Sequence, residues 1–102
     1  MPSYDDDAMM ARFVADYLAL LDQRVITIQA QLRVGRLTTA QVAMLSLEST
    51  STMVGATAMA TIVGQLRAAL ERGDLPALPE LSRAMVAEAD NVRLQLRTPD
   101  RS

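Results

Sequence analysis

The stretch from Met9 to Val34 most constrains the fold of this chain, because it is long and contains no proline or glycine. Its large apolar side chains recur at alternating steps of four and three residues, a spacing that places them on one side of an α-helix. These positions are Val14, Leu18, Leu21, Val25, Ile28 and Leu32. The stretch therefore predicts an amphipathic helix about 35 Å long, at 1.5 Å per residue.

Glycine and threonine residues mark the end of this helix and the start of the next one. Gly35 suits the position just after a helix, where the backbone often needs a positive φ. The side chain of Thr38 or Thr39 is a candidate cap for the following helix. We expect that helix at about 40–54, although its serine and threonine run has poor intrinsic helix propensity.

Two further helices are predicted in the second half of the chain. Gly55 marks a break, and apolar residues then recur at helical spacing over about 56–72. The turn that follows contains Asp74, a candidate cap, and Pro76, which a first helical turn tolerates. We expect the last helix at about 77–97.

The N-terminus and the short connections complete the predicted architecture. Ser3 and the acidic run Asp5–Asp7 are typical of a helix start, because oxygen atoms and negative charge stabilise its free N–H groups. Short connections favour antiparallel neighbours. We predict an all-α, up-down four-helix bundle with a short additional N-terminal helix, as one domain over 1–102 with 1–8 and 98–102 at its periphery.

The composition agrees with a single helical core. A chain of 102 residues is long enough for one core and too short for two ordinary domains. Half of the residues are apolar but only 3% are aromatic, so aliphatic side chains and methionine must fill the interior. We interpret Met44, Met53, Met59 and Met85 as core residues.

The charge pattern indicates a cytoplasmic protein that binds neither nucleic acid nor membrane. The net charge is −2, and the ten basic residues alternate with acidic ones instead of forming a basic face. The first residues are acidic, unlike those of a signal peptide. No apolar run approaches the roughly 20 residues of a membrane-spanning helix.

The chain lacks most of the side chains that carry catalysis. It contains no histidine, cysteine or lysine, so few groups titrate near neutral pH or bind a transition metal. Gly55 and Gly64 lie within or beside helices and do not form a phosphate-binding loop. We predict that the protein is not an enzyme and holds no cofactor and no metal.

A motif runs from Leu45 to Asp74. It reads LSLESTSTMVGA from Leu45 onward, and a Leu-Glu pair and a Gly-Asp turn close the next helix. This order resembles the histidine-phosphotransfer (Hpt) domain family, and the resemblance covers about 11–96. It implies a four-helix bundle that works in two-component phosphorelay signalling.

The chain departs from the family at the residues that handle phosphate. The resemblance places the acceptor histidine at Leu45, ten residues before Gly55, the family's basic residue at Glu48 and its glycine at Ser49. Leucine offers no nucleophilic nitrogen, and a carboxylate at position 48 would repel a phosphoryl group. We therefore expect an Hpt-like domain that cannot be phosphorylated at this position.

The resemblance implies that a docking surface survives this loss. In the family a receiver domain sits over the acceptor helix. Helical spacing puts Ser49 and Thr52 on the side of Leu45, so an outward-facing Leu45 would be an apolar anchor among small side chains. The expected partner is a response-regulator receiver domain or a sensor histidine kinase. The predicted partner-binding residues are Gln41, Leu45, Glu48, Ser49 and Thr52.

Other interpretations stay open at this stage. Leu45 would be buried if the helix were rotated. Separately, the serine and threonine run would serve as a helix–helix packing seam if it were not an interface. The segment from Leu20 to Arg24 is faintly similar to all-helical chorismate mutases, whose activity would require Arg24, Arg36 and Glu48 to converge. The bundle would otherwise be a structural protein or a homodimer.

Overall fold

The computed structural model describes residues 3–97 and contains four α-helices within them. They are α1 (Ser3–Arg33), α2 (Leu37–Met53), α3 (Thr57–Arg72) and α4 (Leu78–Arg97), with a single 3₁₀ turn, Leu75–Ala77, before α4. Each helix packs against the next one in the chain, and α4 packs back against α1. The predicted all-α four-helix bundle is therefore confirmed.

The short additional N-terminal helix is not a separate element. Helix α1 is continuous from Ser3 to Arg33, because the segment between the acidic run and Met9 has no glycine or proline that would interrupt it. Residues 1–2 and 98–102, which belong to the predicted periphery, lie outside the described residues.

The first three helices end in the same hydrogen-bonded turn. Gly35, Gly55 and Gly73 follow these helices with φ values of 79°, 82° and 74°. After α1, the amide of Arg36 donates to the carbonyl oxygen of Gln31 at 2.9 Å. This is the Schellman arrangement, and it satisfies carbonyl groups that a helix end leaves without partners. The predicted role of Gly35 is confirmed.

The predicted caps at Thr38 and Thr39 are wrong. Helix α2 begins at Leu37, and Arg36 is its N-cap without a side-chain hydrogen bond. The Schellman turn leads directly into α2, so both threonines already lie in its first turn. Asp74 is at a cap position, but it makes no side-chain cap bond there.

One core runs through the bundle and is filled mainly by aliphatic side chains and methionine. It buries the centre of the predicted α1 stripe, at Leu21, Val25 and Ile28. The interpretation of the methionines holds for three positions and is wrong for Met53, which is exposed near the end of α2. The core residues of the other helices are Ala40, Met44, Leu47, Met59, Val63, Leu66, Leu70, Met85, Ala89 and Val92.

Polar contacts set the rotation of α2 against α1. The buried hydroxyls of Tyr17 and Ser51 are 2.7 Å apart, and Arg24 Nη1 donates to Ser46 Oγ at 2.8 Å. Burial raises the pKa of the Tyr17 phenol, while its hydrogen bond with Ser51 acts in the opposite direction. A buried hydroxyl without a partner is costly, so the Tyr17–Ser51 bond fixes which side of α2 faces the core.

Candidate functional site

Helix α2 has a buried side and an uncharged exposed side. Its buried residues are Ala40, Met44, Leu47 and Ser51. The opposite side, here called the α2 outer face, consists of Thr38, Val42, Leu45, Ser49, Thr52 and Met53. All six residues are exposed. Glu48 is the one charged residue in the sequence of α2, and it lies beside this face. The α2 outer face therefore combines three large apolar side chains with small polar ones.

The side chain of Leu45 faces solvent, as predicted. It is 52% exposed and lies near the middle of the α2 outer face. Ser49 and Thr52 are exposed on the same side of the helix, and Gln41, one turn earlier, is partly buried. The alternative in which a rotated α2 buries Leu45 is wrong, because Met44 and Leu47 occupy the core positions.

The hydroxyls of Thr50 and Thr52 form hydrogen bonds within α2. Thr52 Oγ1 donates to the carbonyl oxygen of Glu48 at 3.0 Å, and Thr50 Oγ1 donates to that of Ser46 at 2.9 Å. Such bonds to the preceding turn are a common way for a helix to accommodate threonine. Both hydroxyls therefore have a partner in a run that is helical up to Met53.

Glu48 is not simply solvated, because its side chain turns toward α3. Arg67 Nε donates to Glu48 Oε1 at 2.9 Å, and Arg67 Nη2 lies 2.8 Å from the same oxygen. A Cβ atom on Gly64 would be only 3.1 Å from Glu48 Oε2. Glu48 thus belongs to the contact between α2 and α3, and Arg67 offsets its charge.

Sequence reasoning missed Arg67 and Gly64. A glycine in the middle of a helical pattern often marks a close approach, and Gly64 was a usable signal of this kind. Gly64 and Glu48 border an open groove of about 330 Å³ between α2 and α3. The remaining lining residues are Thr52, Thr57, Ala60 and Thr61.

The residues of the enzymatic alternative do not converge. Arg24 contacts Ser46 on the α1 side of α2, whereas Glu48 is bound to Arg67 on the α3 side. Arg36 is exposed in the turn between α1 and α2. In the part of the chain that the structure describes, no cluster of acidic side chains is arranged to hold a metal ion.

No family model, curated protein or solved structure matches the chain. The likeness to the Hpt family therefore rests on the motif that begins at Leu45. Within residues 3–97, no helix is long and apolar enough to cross a membrane.

Proposed function

We propose that this protein is a helical adaptor of the Hpt type that binds receiver domains or sensor kinases without transferring phosphate. The partner docks on the α2 outer face, with Leu45 at the position of the family's acceptor. Such partners belong to cytoplasmic two-component signalling, so we assign the protein to that compartment and pathway.

The exposed, uncharged state of the α2 outer face is the observation that carries this proposal. Val42, Leu45 and Met53 are all at least half exposed, and the small side chains of Ser49 and Thr52 lie among them. The central part of a protein–protein interface is depleted of charge and often built around a few apolar anchors. The α2 outer face has this character.

The chemistry at position 45 supports binding without phosphotransfer. A phosphoryl group moves to a side chain only if that side chain presents a nucleophile, and Leu45 presents only carbon and hydrogen. The nearest carboxylate along α2, Glu48, is held by Arg67. A bound receiver domain would therefore keep its phosphoryl group, and the adaptor would act by occupying the docking surface of its partner.

Titration of purified receiver domains and sensor-kinase domains from the same cell tests the proposal. Leu45→Glu and Val42→Glu place a charge on the α2 outer face. Each is expected to weaken binding at least about 30-fold, as loss of a central anchor does. Ile26→Glu is the matched control, since Ile26 is an exposed apolar residue on α1, and it should bind like wild type.

Two outcomes would contradict the proposal. The first is that no receiver or kinase domain binds the wild-type protein at concentrations up to about 100 µM, well above the usual range of signalling affinities. The second is that Ile26→Glu weakens binding as much as Leu45→Glu does, which would mean that the α2 outer face is not the site.

A further inference from the structure

The N-terminal part of α1 extends beyond the rest of the bundle. Tyr17 is the first buried residue in the part of α1 whose side chains the structure describes, and it contacts Ser51, two residues before α2 ends. The 31 residues of α1 correspond to about 46 Å at 1.5 Å per residue, which matches the 47 Å long axis of the molecule. Residues 3–14 of α1 therefore project past the ends of α2 and α4.

A second exposed apolar surface begins on this projection and continues along α1 to Leu20. It is here called the α1 arm face and consists of Met9, Met10, Phe13 and Leu20. Met9, Met10 and Leu20 are exposed, and Phe13 is partly buried. An open groove of about 670 Å³ lies along Met9, Met10 and Phe13. A smaller cavity of about 60 Å³ continues it from Phe13 to Leu20.

The charges beside the α1 arm face indicate what covers it. Arg12 and Asp16 line the groove, are four residues apart and so lie on the same edge of the helix. If two α1 helices pack antiparallel and centred on this face, Met9 of each copy lies opposite Leu20 of the other. The same offset brings Arg12 of each copy next to Asp16 of the other. A parallel pair would instead place Arg12 beside Arg12 of the other copy and Asp16 beside Asp16, so like charges would meet.

The charges at the two ends of the α1 arm face also favour an antiparallel pair, because they are opposite in sign. The acidic run Asp5–Asp7 precedes the α1 arm face in the sequence, and Arg24 lines the other end of the face. In the antiparallel register, position 5 of one copy falls level with position 24 of the other, and a two-fold axis repeats every such pairing. The charges of two copies of this region are thus complementary when the two α1 helices are antiparallel.

We propose that the α1 arm face binds a second copy of this chain as an antiparallel helix pair. From Met9 to Leu20 the face is about 17 Å long, and it is roughly one helix diameter, 10 Å, wide. This is smaller than the interface of a stable dimer, which buries about 800 Å² per partner. The dimer is therefore weak and reversible, and it forms at roughly tens to hundreds of micromolar protein.

Self-association does not depend on the proposed signalling role. The α1 arm face and the α2 outer face share no residue, so each can be altered separately. Leu20→Glu is expected to abolish self-association and leave receiver binding unchanged. Leu45→Glu is expected to do the reverse, so failure of one proposal is distinguishable from failure of the other.

Sedimentation equilibrium of the full chain from about 10 µM to 1 mM is the primary test. The mass of the wild type should rise toward that of a dimer. Leu20→Glu should remain a monomer throughout, and Ile26→Glu should behave as wild type. Leu20 is 46% and Ile26 57% exposed on the same helix, so both variants should fold, which circular dichroism verifies.

A charge exchange tests the antiparallel orientation. Arg12→Glu sets a carboxylate against Asp16 of the other copy, and Asp16→Arg sets two guanidinium groups together. Either single variant should raise the dissociation constant about 10-fold at low salt. Combining Arg12→Glu with Asp16→Arg restores opposite charges and should return the constant to within about threefold of wild type.

Three results would overturn the proposal. One is a wild-type mass that stays monomeric up to about 1 mM, which lies above the expected range of dissociation constants. Another is an equal loss of self-association in Ile26→Glu and Leu20→Glu. The last is a double charge variant that remains as weak as the single variants, because a parallel pair or an unrelated contact would give that result.

Discussion

Helices α2 and α3 have nearly the same length, yet their exposed sides differ. Helix α2 has 17 residues and α3 has 16, and both end in a Schellman turn. No residue of α3 is among the large exposed apolar side chains, whereas α2 contributes Leu37, Val42, Leu45 and Met53. The exposed residues of α3 are Thr57, Ala58, Thr61, Gln65, Glu71 and Arg72.

The contrast separates what the fold requires from what it does not. Both helices supply buried aliphatic side chains to the same core, so a polar exposed side, as on α3, is compatible with this bundle. The apolar side chains of the α2 outer face add nothing to that core. Apolar side chains that cluster on a surface commonly mark a contact with another protein. We interpret the α2 outer face in this way.

The largest predicted difference in the free energy of unfolding is between variants of two leucines on opposite sides of α2. Leu47→Ala removes a fully buried side chain and should lower the free energy of unfolding by about 2–5 kcal/mol. Leu45→Ala should change it by no more than about 0.5 kcal/mol. Urea titration measures both values. Similar losses in the two variants would mean that Leu45 contributes to the core.

The next effect concerns the hydrogen bond between Tyr17 and Ser51. Tyr17→Phe leaves the buried Ser51 hydroxyl without this partner and should cost about 1–2 kcal/mol at neutral pH. The double variant Tyr17→Phe/Ser51→Ala removes both groups and should recover part of that loss. A double variant no more stable than Tyr17→Phe would show that the unpaired hydroxyl is not the cause.

Tyr17 also predicts a loss of stability at alkaline pH. Its pKa in the folded protein is raised by burial, whereas an unfolded tyrosine has a pKa of about 10. Stability from the neutral phenol is therefore fully present below about pH 10 and is lost as the pH rises through the folded-state value. Unfolding followed from about pH 8 to 11.5 should show a decline that Tyr17→Phe reduces. An equal decline in both proteins would assign it to other groups.

A smaller effect is expected at the contact between α2 and α3. Glu48→Ala should cost about 1 kcal/mol, because its pair with Arg67 is partly buried. Glu71→Ala, which removes a more exposed partner of the same arginine, should cost about 0.3 kcal/mol. In the Glu48→Ala background, Gly64→Ala should stabilise by up to about 1 kcal/mol through helix propensity. A loss there would show that the contact is crowded by another group.

The smallest change in stability is expected for Leu45→His. The side chain at position 45 is exposed, so this substitution should alter the free energy of unfolding by less than about 0.5 kcal/mol. If the proposed docking mode is correct, the new imidazole should accept a phosphoryl group from a phosphorylated receiver partner. Radiolabel transfer measures this reaction, with Ile26→His as the control. Equal labelling of both variants would argue against docking over position 45.

The sequence predicted the features that depend on local periodicity. The alternation of three and four residues identified the α1 stripe. The outward direction of Leu45 was expected from the resemblance to the Hpt family, because the spacing of Met44, Leu45 and Leu47 alone left a buried Leu45 open. Gly35 was also recognised, because a positive φ after a helix leaves few other choices.

Features that depend on contacts between helices were not predicted. The pairing of Glu48 with Arg67 joins residues 19 positions apart, and no local pattern relates them. Met53 was assigned to the core from its residue type, but it lies on the outward side near the end of α2. The two threonine caps failed because the Schellman turn at Gly35 starts α2 earlier than the threonines suggested.

The brevity of the turns at Gly35, Gly55 and Gly73 has a kinetic and mechanical consequence. Consecutive helices joined by such short turns can pack against each other at a small entropic cost of loop closure. We therefore expect folding in microseconds to milliseconds. The short turns at both ends of α2 also restrict its movement relative to α1 and α3. A partner that binds α2 therefore contacts a rigid surface, and any conformational change on binding must occur in the partner.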